Sequence, residues 1–348
     1  MRILILGASY GSLFGTKCAM AGHDVTLVCR APTARLINEK GTHVEIRLKG
    51  HAQVRSFASV DQPGRLNALT PSEVVPETYD LAVLAMQEPQ YANQSIWKLL
   101  AVLAKFEIPC ISLMNMPPLP FLKRFATIDP EQTVSAFTNV LVWKHFDPNL
   151  VTLCSPDPQA ARPPGYPANV LRVGLATNFK VAPFGCDTAN AKLTELSESI
   201  DQVRVVGCDV PVKLRLHVSM FVPFAKWSML LTGNYRCMTD NGPISICDAV
   251  HADLERSREI YDVVSEIAMG LGARQEDLVP FDKYAKAALS LSIPSSAARA
   301  LANGKGAIER VDKLVQLIGR QLGIKHVEID ETVARVDRAV SNNSLHAA

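Results

Sequence analysis

The first half of the chain alternates short runs of aliphatic and β-branched residues with stretches of helical periodicity. Four of these runs predict strands, at residues 2–6, 25–29, 81–85 and 108–113. Strands buried on both faces of a parallel sheet read as continuous apolar runs, and their alternation with helices is typical of a doubly wound sheet. The N-terminal part is therefore predicted to be an α/β domain built on a doubly wound parallel sheet.

The pattern changes near residue 189, where long apolar helical periods replace the short runs. These periods cover residues 191–200, 211–231, 247–271, 281–291 and 307–322. We therefore predict two domains, the α/β domain over residues 1–188 and an all-helical domain over residues 189–348.

Two segments follow neither pattern. Residues 153–168 are rich in proline and turn formers, so we predict a surface loop without a regular helix or central strand. Residues 341–348 are polar and predict a frayed tail.

Composition argues against several classes of protein. Among the 348 residues, 36 Lys and Arg stand against 34 Asp and Glu, and the net charge of +2 is too small for neutralising many nucleic-acid phosphates. No apolar stretch reaches the roughly 18–20 residues that a membrane-spanning helix needs, and the short apolar start does not fit a signal peptide. We therefore expect a cytoplasmic protein that binds a small-molecule substrate, with neither nucleic acid nor membrane as partner.

The metal-ligating residue types show no ligand-like pattern. The eight cysteines are scattered without a C-x-x-C pair, which argues against a disulfide framework or a zinc site. The eight histidines have no ligand-like spacing with Cys, Asp or Glu, so no metal is expected.

A glycine-rich segment follows the first predicted strand. The strand runs directly into Gly7-Ala8-Ser9-Tyr10-Gly11, and a helical pattern comes next, before a second strand. Glycines here allow a tight turn and a close approach of the backbone to a pyrophosphate, whose oxygens meet free N–H groups at the helix N-terminus. We therefore predict a Rossmann-like dinucleotide site that includes Gly7, Ser9, Tyr10 and Gly11.

The spacing of these glycines departs from the usual G-x-G-x-x-G pattern. It reads G-x-x-x-G-x-x-x-G, with Ser9 where a glycine is expected and a turn one residue short. Residues 7–11 also match G-x-S-x-G, in which Ser9 would be the nucleophile of a serine hydrolase. We disfavour a hydrolase because its nucleophile follows an inner strand reached after several βα units. A plain structural turn is the other alternative.

The second predicted strand ends in Val28-Cys29-Arg30, without an Asp or Glu at its tip. An acidic residue there binds the ribose hydroxyls of NAD, whereas an arginine can clamp the 2′-phosphate of NADP. The sequence therefore favours NADP as the cofactor, with Arg30 as the phosphate ligand and Arg35 as a helper.

These features together resemble the ketopantoate reductase family, whose members reduce a 2-keto acid with NADPH through an N-terminal Rossmann domain and a C-terminal helical domain. The resemblance is distant and extends over nearly the whole chain. It rests on residues 7–15 with 22–25, Arg30, 83–87, 112–115, and 224–226 with Asn234.

The resemblance implies roles for individual residues. Lys226 would be the general acid that gives a proton to the carbonyl oxygen as hydride arrives, and Asn115 would contact cofactor and substrate at the carboxyl edge of the sheet. Gln87 would lie beside the cofactor, where the family commonly carries a lysine. Asn234 and Ser295 would bind substrate, although helix N-capping is an equally good interpretation of Ser295.

The surroundings of Lys226 in the sequence support an acid role. It is the only charged residue between Met220 and Leu231, and core helices rarely bury a lysine without cause. An ammonium in an apolar cleft stabilises the alkoxide that forms during carbonyl reduction. A lysine that extends from the edge of a core helix into solvent is the alternative.

Several substrate-holding groups of the family are missing. Its glycine-containing turn is replaced by Met-Pro-Pro at residues 116–118, and Leu230 stands where the family has an asparagine. Ala307 takes the place of a glutamate, while Glu309, two residues on, would face the other way on a helix. We therefore predict a more apolar pocket and a substrate other than ketopantoate, or ketopantoate only poorly.

One candidate comes from helix geometry alone. If residues 211–231 form one helix, Arg215 lies about 20° from Lys226 and is a candidate anchor for a substrate carboxylate, whereas His217 lies about 180° away. Arg215 and His217 are also the nearest candidates for imine reduction of the opine-dehydrogenase kind. That activity, and a non-catalytic NADP-binding sensor, stay open beside the reductase.

The sequence leaves monomer and dimer open. An apolar stripe in the last helical period is expected to face a second copy of the chain in a homodimer; it consists of Val315, Leu317, Ile318 and Leu322.

Overall fold

The computed structural model describes residues 1–48, 50–51 and 53–347, and residues 346 and 347 by their backbone only. Its strands are β1 Arg2–Leu6, β2 Asp24–Val28, β3 His43–Arg47, β4 Val54–Ala58, β5 Leu66–Leu69, β6 Leu81–Leu84, β7 Cys110–Leu113, β8 Val151–Ser155, β9 Gln159–Ala161, β10 Val170–Leu175, β11 Phe179–Val181, β12 Arg204–Val205, β13 Cys208–Asp209, β14 Leu214–Leu216, β15 Met238–Thr239 and β16 Gly242–Pro243. Its α-helices are α1 Tyr10–Met20, α2 Ala31–Lys40, α3 Gln94–Lys105, α4 Leu119–Leu122, α5 Asp187–Gln202, α6 Ala225–Met229, α7 Ile246–His251, α8 Leu254–Leu271, α9 Phe281–Ala288, α10 Ser296–Ala302, α11 Val311–Gln321 and α12 Val327–Ala347.

The chain forms two compact units. The sheet unit contains Met1–Met86, Gln90–Phe121 and Leu141–Met220, and the helical unit contains Gln87–Pro89, Leu122–Val140 and Phe221–Ala348. The units thus divide near residue 220 and not at the expected boundary after residue 188. The reason is that α5 packs against α1 and β14, while β14 pairs with β11 of the main sheet.

The main sheet of the sheet unit has eight strands. Six parallel strands stand in the order β5-β2-β1-β6-β7-β8, and β11 and β14 extend the sheet beyond β8. Counted along the chain, this is the order 3-2-1-4-5-6 of a doubly wound Rossmann sheet. The predicted strands at residues 2–6, 25–29, 81–85 and 108–113 are therefore confirmed within one residue or two.

Burial explains why these segments form central strands. Four residues of β1 and all four of β6 are buried, with apolar side chains on both faces. In the register of the sheet, Ile3 lies opposite Val25 of β2 on one side and Leu81 of β6 on the other. The chain order reverses between β1 and β6, and such a reversal opens a crevice at the carboxyl ends of the strands.

A second sheet changes the account of the proline-rich segment. It has the order β4-β3-β10-β9, and β9 lies within the predicted loop. Residues 153–155 belong to β8, which is buried along its whole length, so the prediction that residues 153–168 lack a central strand is wrong there. The prolines begin only at Pro156, and the apolar residues before it complete the main sheet.

The helical unit is built on α8 and α11 and on the segment that follows α6. The prediction of one helix over residues 211–231 is wrong. Residues 214–216 form β14, and α6 begins only at Ala225, after a 3-10 turn that contains Pro223. Proline cannot donate a backbone hydrogen bond inside a helix, which limits the helix to the residues that follow.

The C-terminal segment is not a frayed tail in the described structure. Helix α12 continues to Ala347, and its polar residues bind the turn after α10. The side-chain amide of Asn343 donates hydrogen bonds to the carbonyl oxygens of Leu301 and Lys305, at 2.8 and 3.0 Å. The polar composition of this segment thus reflects hydrogen bonding within the unit.

The apolar stripe that was expected to face a second copy points mainly into the helical unit. Val315 and Ile318 are fully buried within the chain itself, and Leu317 and Leu322 are half-buried. The stripe is therefore core, and the homodimer hypothesis loses the surface on which it was based.

The part of the chain that the structure describes shows neither a membrane-spanning helix nor a metal-binding cluster. No helix in that part of the chain combines the length and apolar character that crossing a membrane requires. No cluster of three or more His, Cys, Asp or Glu with metal-binding geometry occurs there either. None of the eight cysteines, all of which lie in the described part of the chain, forms a disulfide.

A buried lysine sets a pH dependence of stability in the sheet unit. Lys17 on α1 is only 3% exposed, and its ammonium donates to the carbonyl oxygen of Val210 at 3.2 Å. Burial, and then the positive charge of Lys213, lowers the pKa of Lys17 to about 7. Between pH 7 and its ordinary pKa, the unfolded chain therefore binds more protons at this residue than the folded chain does.

We expect the lowered pKa of Lys17 to raise the free energy of unfolding by up to about 1.4 kcal/mol per pH unit as the pH rises from about 7 towards 10. Lys17→Met should remove that gain and stabilise the fold most below pH 7, where the wild-type lysine is charged in both states. Urea denaturation at pH 6.5, 8 and 9.5 measures this. The exposed Lys98→Met is the control and should keep the wild-type slope. Equal slopes for wild type and Lys17→Met would contradict the assignment.

Candidate functional site

The glycine-rich turn lies at the crevice between β1 and β6. Gly7 follows β1 with φ +109°, and its N–H donates to the carbonyl oxygen of Val28 at 2.9 Å. A Cβ atom at Gly7 would stand 2.7 Å from the carbonyl oxygen of Ala85 and 2.8 Å from Cγ of Met86. Only glycine fits this conformation and this close approach to the end of β6.

The next two glycines pack α1 on the sheet. A Cβ atom at Gly11 would stand 2.9 Å from Cγ2 of Ile5, and one at Gly15 would stand 3.1 Å from Cγ1 of Val25. They therefore serve helix–sheet packing, the role of the last glycine in the usual dinucleotide pattern. Ser9 stands at the position of the middle glycine, and the turn is one residue shorter than usual, as the sequence indicated.

Ser9 is exposed and occupies the N-cap position of α1. Its side chain makes no capping hydrogen bond to the helix. Among the described residues, its hydroxyl has no hydrogen bond to a histidine, as a serine nucleophile would require. The turn also follows β1, the first strand of the Rossmann sheet along the chain, whereas a hydrolase nucleophile follows a later strand. The geometry thus supports a nucleotide-binding turn over a hydrolase.

Arg30 lies at the tip of β2, where the sequence placed it. It is exposed, caps the N-terminus of α2 with extended backbone, and is followed on that helix by the exposed Arg35. Burial raises the pKa of the adjacent Cys29 thiol to about 11, and the positive charges of Arg162 and Arg30 oppose that shift. Cys29 is therefore a neutral thiol near pH 7 that lies in the electrostatic field of two guanidinium groups.

Arg162 was missed by the sequence analysis. Its guanidinium Nη2 donates to the carbonyl oxygen of Ala8 at 2.8 Å, within the glycine-rich turn. The hydroxyl of Tyr10 donates to the carbonyl oxygen of Pro158 at 2.9 Å. The proline-rich segment therefore contacts the turn at two points, and no local sequence signal connects positions about 150 residues apart.

Asn115 and Gln87 follow the carboxyl ends of two further strands. Asn115 is half-buried two residues after β7, at the edge where open α/β sheets bind ligands. The Met-Pro-Pro segment at residues 116–118 is buried. Gln87 is exposed three residues after β6, and the neighbouring Glu88 is buried and accepts hydrogen bonds from Thr138 at 2.8 and 3.0 Å.

In the helical unit, a π-helical turn brings Lys226 and Asn234 to one face. Residues 230–234 form this turn directly after α6, and the N–H of Tyr235 donates to the carbonyl oxygen of Leu230 at 2.9 Å. At about 100° per residue, eight residues of α-helix would place the two side chains about 80° apart. The extra residue of a π-turn takes back about 100°, which reduces the expected separation of the two side chains to about 20°. Both are half-buried.

Apart from Asn234, the residues next to Lys226 on this face are apolar. Val222 and Met229, four residues before and three residues after Lys226, are both half-buried. Leu230, the replacement of the family asparagine, is buried. Beneath this face the ring of Trp227 stacks on Phe224 with ring centroids 4.2 Å apart. The expectation of apolar surroundings for Lys226 agrees with this part of the helical unit.

Ser295 is the N-cap of α10. Its Oγ accepts a hydrogen bond from the N–H of Ala298 at 3.1 Å and donates one to the carbonyl oxygen of Asn234 at 2.7 Å. The N-capping interpretation is therefore confirmed, and the hydroxyl also fixes the end of the π-turn. Its role in substrate binding stays a prediction.

Glu309 lies in a different backbone setting from the one expected. Residues 307–310 are not helical, so the argument that two residues turn a side chain to the opposite face does not apply. Glu309 is 7% exposed, and its carbonyl oxygen accepts a hydrogen bond of 2.5 Å from the hydroxyl of Tyr235. Its carboxyl group is thus buried in the unit that holds Lys226 and Asn234.

The argument that placed Arg215 beside Lys226 is wrong, because Arg215 is on β14 and not on a helix shared with Lys226. Its guanidinium pairs with Asp201 at 2.9 Å. The N–H of His217 donates to the carbonyl oxygen of Val181 at 3.0 Å, as an extension of the same strand pairing. The helix geometry that nominated Arg215 thus no longer supports it, and an opine-dehydrogenase-like role for these two residues stays a prediction.

The predicted site residues divide between the two units. The sheet unit carries Gly7, Ser9, Tyr10, Gly11, Arg30, Asn115 and Arg215. The helical unit carries Gln87, Lys226, Asn234 and Ser295. The structure brings together the turn with Arg30 in one unit, and Lys226 with Asn234 in the other.

Residues 3–115 match the family model described as ketopantoate reductase PanE/ApbA. Among solved structures, D-mandelate dehydrogenase with NADH and anilino(oxo)acetate is similar with a TM-score of 0.67 at 15% identity, over 99% of both chains. A 2-dehydropantoate 2-reductase from Methylococcus capsulatus has a TM-score of 0.68 at 13% identity, over 99% of this chain and 98% of that chain. A PanE/ApbA family ketopantoate reductase from Ralstonia eutropha JMP134 has a TM-score of 0.62 at 17% identity, over 99% of this chain and all of that chain.

The strand order and these similarities define a Rossmann-type fold of the kind seen in the ketopantoate reductase and mandelate dehydrogenase structures. The resemblance to the ketopantoate reductase family is confirmed over residues 3–115 and is that of a distant relative. The predicted fold class, a Rossmann-like sheet followed by a helical C-terminal part, is confirmed over the whole chain length.

Gly7→Ala tests the close approach at the crevice. We expect it to lower the free energy of unfolding by about 3 kcal/mol or more, because a left-handed backbone and a contact with Ala85 are both strained. Gly22→Ala is the matched control, since Gly22 also has a positive φ of +85° but has open space where its Cβ atom would stand. It should cost only about 1–2 kcal/mol. Chemical denaturation measures both, and equal losses would show that the approach to β6 is not tight.

Proposed function

We propose that the protein is an NADPH-dependent reductase that transfers hydride to a carbonyl carbon next to a carboxylate. The observation that carries this proposal is the common face of Lys226 and Asn234, which the π-helical turn creates inside a unit of ketopantoate reductase-like fold. π-Turns are frequent at functional sites, and a cation beside an amide on an apolar surface suits a carbonyl oxygen that becomes an alkoxide.

The cofactor would be held by the sheet unit. Gly7 lets the turn approach the carboxyl end of β6 closely, and the N-terminus of α1 carries the partial positive charge that attracts phosphate. Arg30 at the tip of β2 would bind the 2′-phosphate, which favours NADPH over NADH. When bound, the nicotinamide supplies the hydride. Gln87 and Asn115 would contact the cofactor, and Asn115 would also contact the substrate.

The chain's own chemistry is a proton transfer at Lys226 Nζ. Lys226 donates a proton to the carbonyl oxygen of the substrate as the negative charge develops there. Asn234 donates a hydrogen bond from the same face and orients the substrate. Glu309, whose carboxyl group is buried in the same unit, takes over the task of the family glutamate that Ala307 has lost.

The substrate would be a 2-keto acid with an apolar side chain. Val222, Met229 and Leu230, which lie three or four residues from Lys226, cannot hydrogen-bond a hydroxylated substrate, and a lost hydrogen bond in a buried site costs about 1–3 kcal/mol. Ketopantoate carries such a hydroxyl and would therefore be a poor substrate. The mandelate dehydrogenase among the similar structures holds an anilino(oxo)acetate, and its ligand class agrees with this choice.

Lys226→Met should lower kcat by about 100-fold or more, because the proton donor is lost, while the Kd for NADPH stays within about twofold. Turnover is measured as NADPH oxidation with a panel of apolar 2-keto acids, and NADPH affinity by calorimetry. Lys192→Met is the matched control on the sheet unit. Activity of the Lys226 variant within tenfold of wild type would show that Lys226 is not the acid. Tight NADPH binding by wild type without turnover on keto acids or imines would favour the NADP-binding sensor.

Arg30→Ala should weaken NADPH binding at least tenfold and NADH binding about twofold or less, because only NADPH has a 2′-phosphate for the guanidinium to bind. Arg35→Ala on the following helix tests the helper role and should show a smaller effect with the same selectivity. Separate titrations with the two nucleotides measure the ratio. Equal weakening of both would mean that Arg30 does not bind the 2′-phosphate.

A further inference from the structure

The segment between β8 and Arg162 forms a strap across the glycine-rich turn. We define the strap as residues 156–162. At one end, Asp157 pairs with Lys180 at 3.2 Å, and the carbonyl oxygen of Pro158 accepts the hydrogen bond of Tyr10. At the other end, β9 pairs with β10, with Ala161 opposite Arg172. The strap is thus fixed on both sides of its contact with the turn.

Arg162 is the C-terminal residue of the strap, and its side chain is exposed. One of its five N–H donors is used for the carbonyl oxygen of Ala8. Within the described part of the chain, no carboxylate forms an ion pair with Arg162. The side chain is therefore positioned by a backbone carbonyl, with its charge and its remaining donors open to a ligand.

The surroundings of Arg162 are suited to an anion. It holds Ala8, one residue past Gly7 and two before the first residue of α1, whose N-terminus carries partial positive charge. The Cys29 thiol lies in the electrostatic field of both Arg162 and Arg30. The shortened turn lacks the middle glycine through which the backbone usually approaches a pyrophosphate. A second guanidinium would supply donors where the backbone supplies fewer.

We propose that Arg162 is a further cofactor-binding residue, whose guanidinium binds a phosphate group of the dinucleotide at the turn of residues 7–11. The proposal rests on the proposed function, since it concerns the same cofactor. It adds a residue from the strap to a site that otherwise consists of the turn and Arg30. A charge-assisted hydrogen bond from a fixed arginine to a phosphate is worth about tenfold or more in affinity.

The experiment is calorimetric titration of the full-length protein with NADPH and, separately, with NADH. Arg162→Gln should raise the Kd about tenfold or more, and Arg162→Lys should give an intermediate Kd, because lysine keeps the charge but loses the planar fork. Arg55→Gln is the matched control. It makes the same change of charge on β4, at the opposite edge of the same small sheet, and should stay within about twofold of wild type. Thermal unfolding checks that all variants are folded.

The two nucleotides locate the phosphate. Equal weakening of NADPH and NADH supports contact with the pyrophosphate, which both contain, and weakening of NADPH alone supports contact with the 2′-phosphate. Binding by Arg162→Gln as tight as by Arg55→Gln overturns the proposal while the cofactor assignment stands. Wild-type protein that binds neither nucleotide overturns the cofactor assignment and the role of Arg162 together.

Discussion

The close approach of Gly7 to the end of β6 is the constraint on which the sheet unit depends. Strand order reverses between β1 and β6, so two loops must leave neighbouring strands in opposite directions from one point. A Cβ atom at Gly7 would collide with the backbone of Ala85, and glycine alone lets β1 turn into α1 there. The helix can then lie on the sheet through Gly11 and Gly15. Packing and ligand access at this edge follow from the same missing side chains.

Much of this unit could be predicted from the sequence, because strands buried on both faces leave continuous apolar runs. Residues 2–6 and 81–85 are such runs, and they form β1 and β6. Apolar segments with mixed periodicity were harder. Residues 211–231 contain enough apolar positions to fit a helix, yet residues 214–216 extend the sheet and Pro223 delays the helix to Ala225. Pairing with β11 makes residues 214–216 a strand, and local periodicity does not show which strands pair with each other.

The positions of the candidate site residues were likewise predictable only where a local sequence pattern determines them. Gly7 and Arg30 follow strands directly, so their positions came with the strands. The common face of Lys226 and Asn234 did not, because a regular helix separates them by about 80° and only the π-turn corrects this. The orientation of Glu309 was predicted from helical geometry, but its segment is not helical. Arg162 depends on a contact with Ala8 that joins distant parts of the chain, and no spacing rule encodes it.

The strap also bears on how the molecule opens locally. Its hydrogen bonds to Ala8 and Tyr10 join segments 154 and 148 residues apart, while the turn itself has few side chains to hold it. Because the two bonds connect the strap to the turn, the turn and the strap should exchange their amide hydrogens as one cooperative unit instead of fraying separately. The strap, whose length a sequence comparison would treat as variable, is then part of the same cooperative unfolding unit as the connection between β1 and α1. Changes in the length of the strap would therefore alter the stability of the N-terminus of α1.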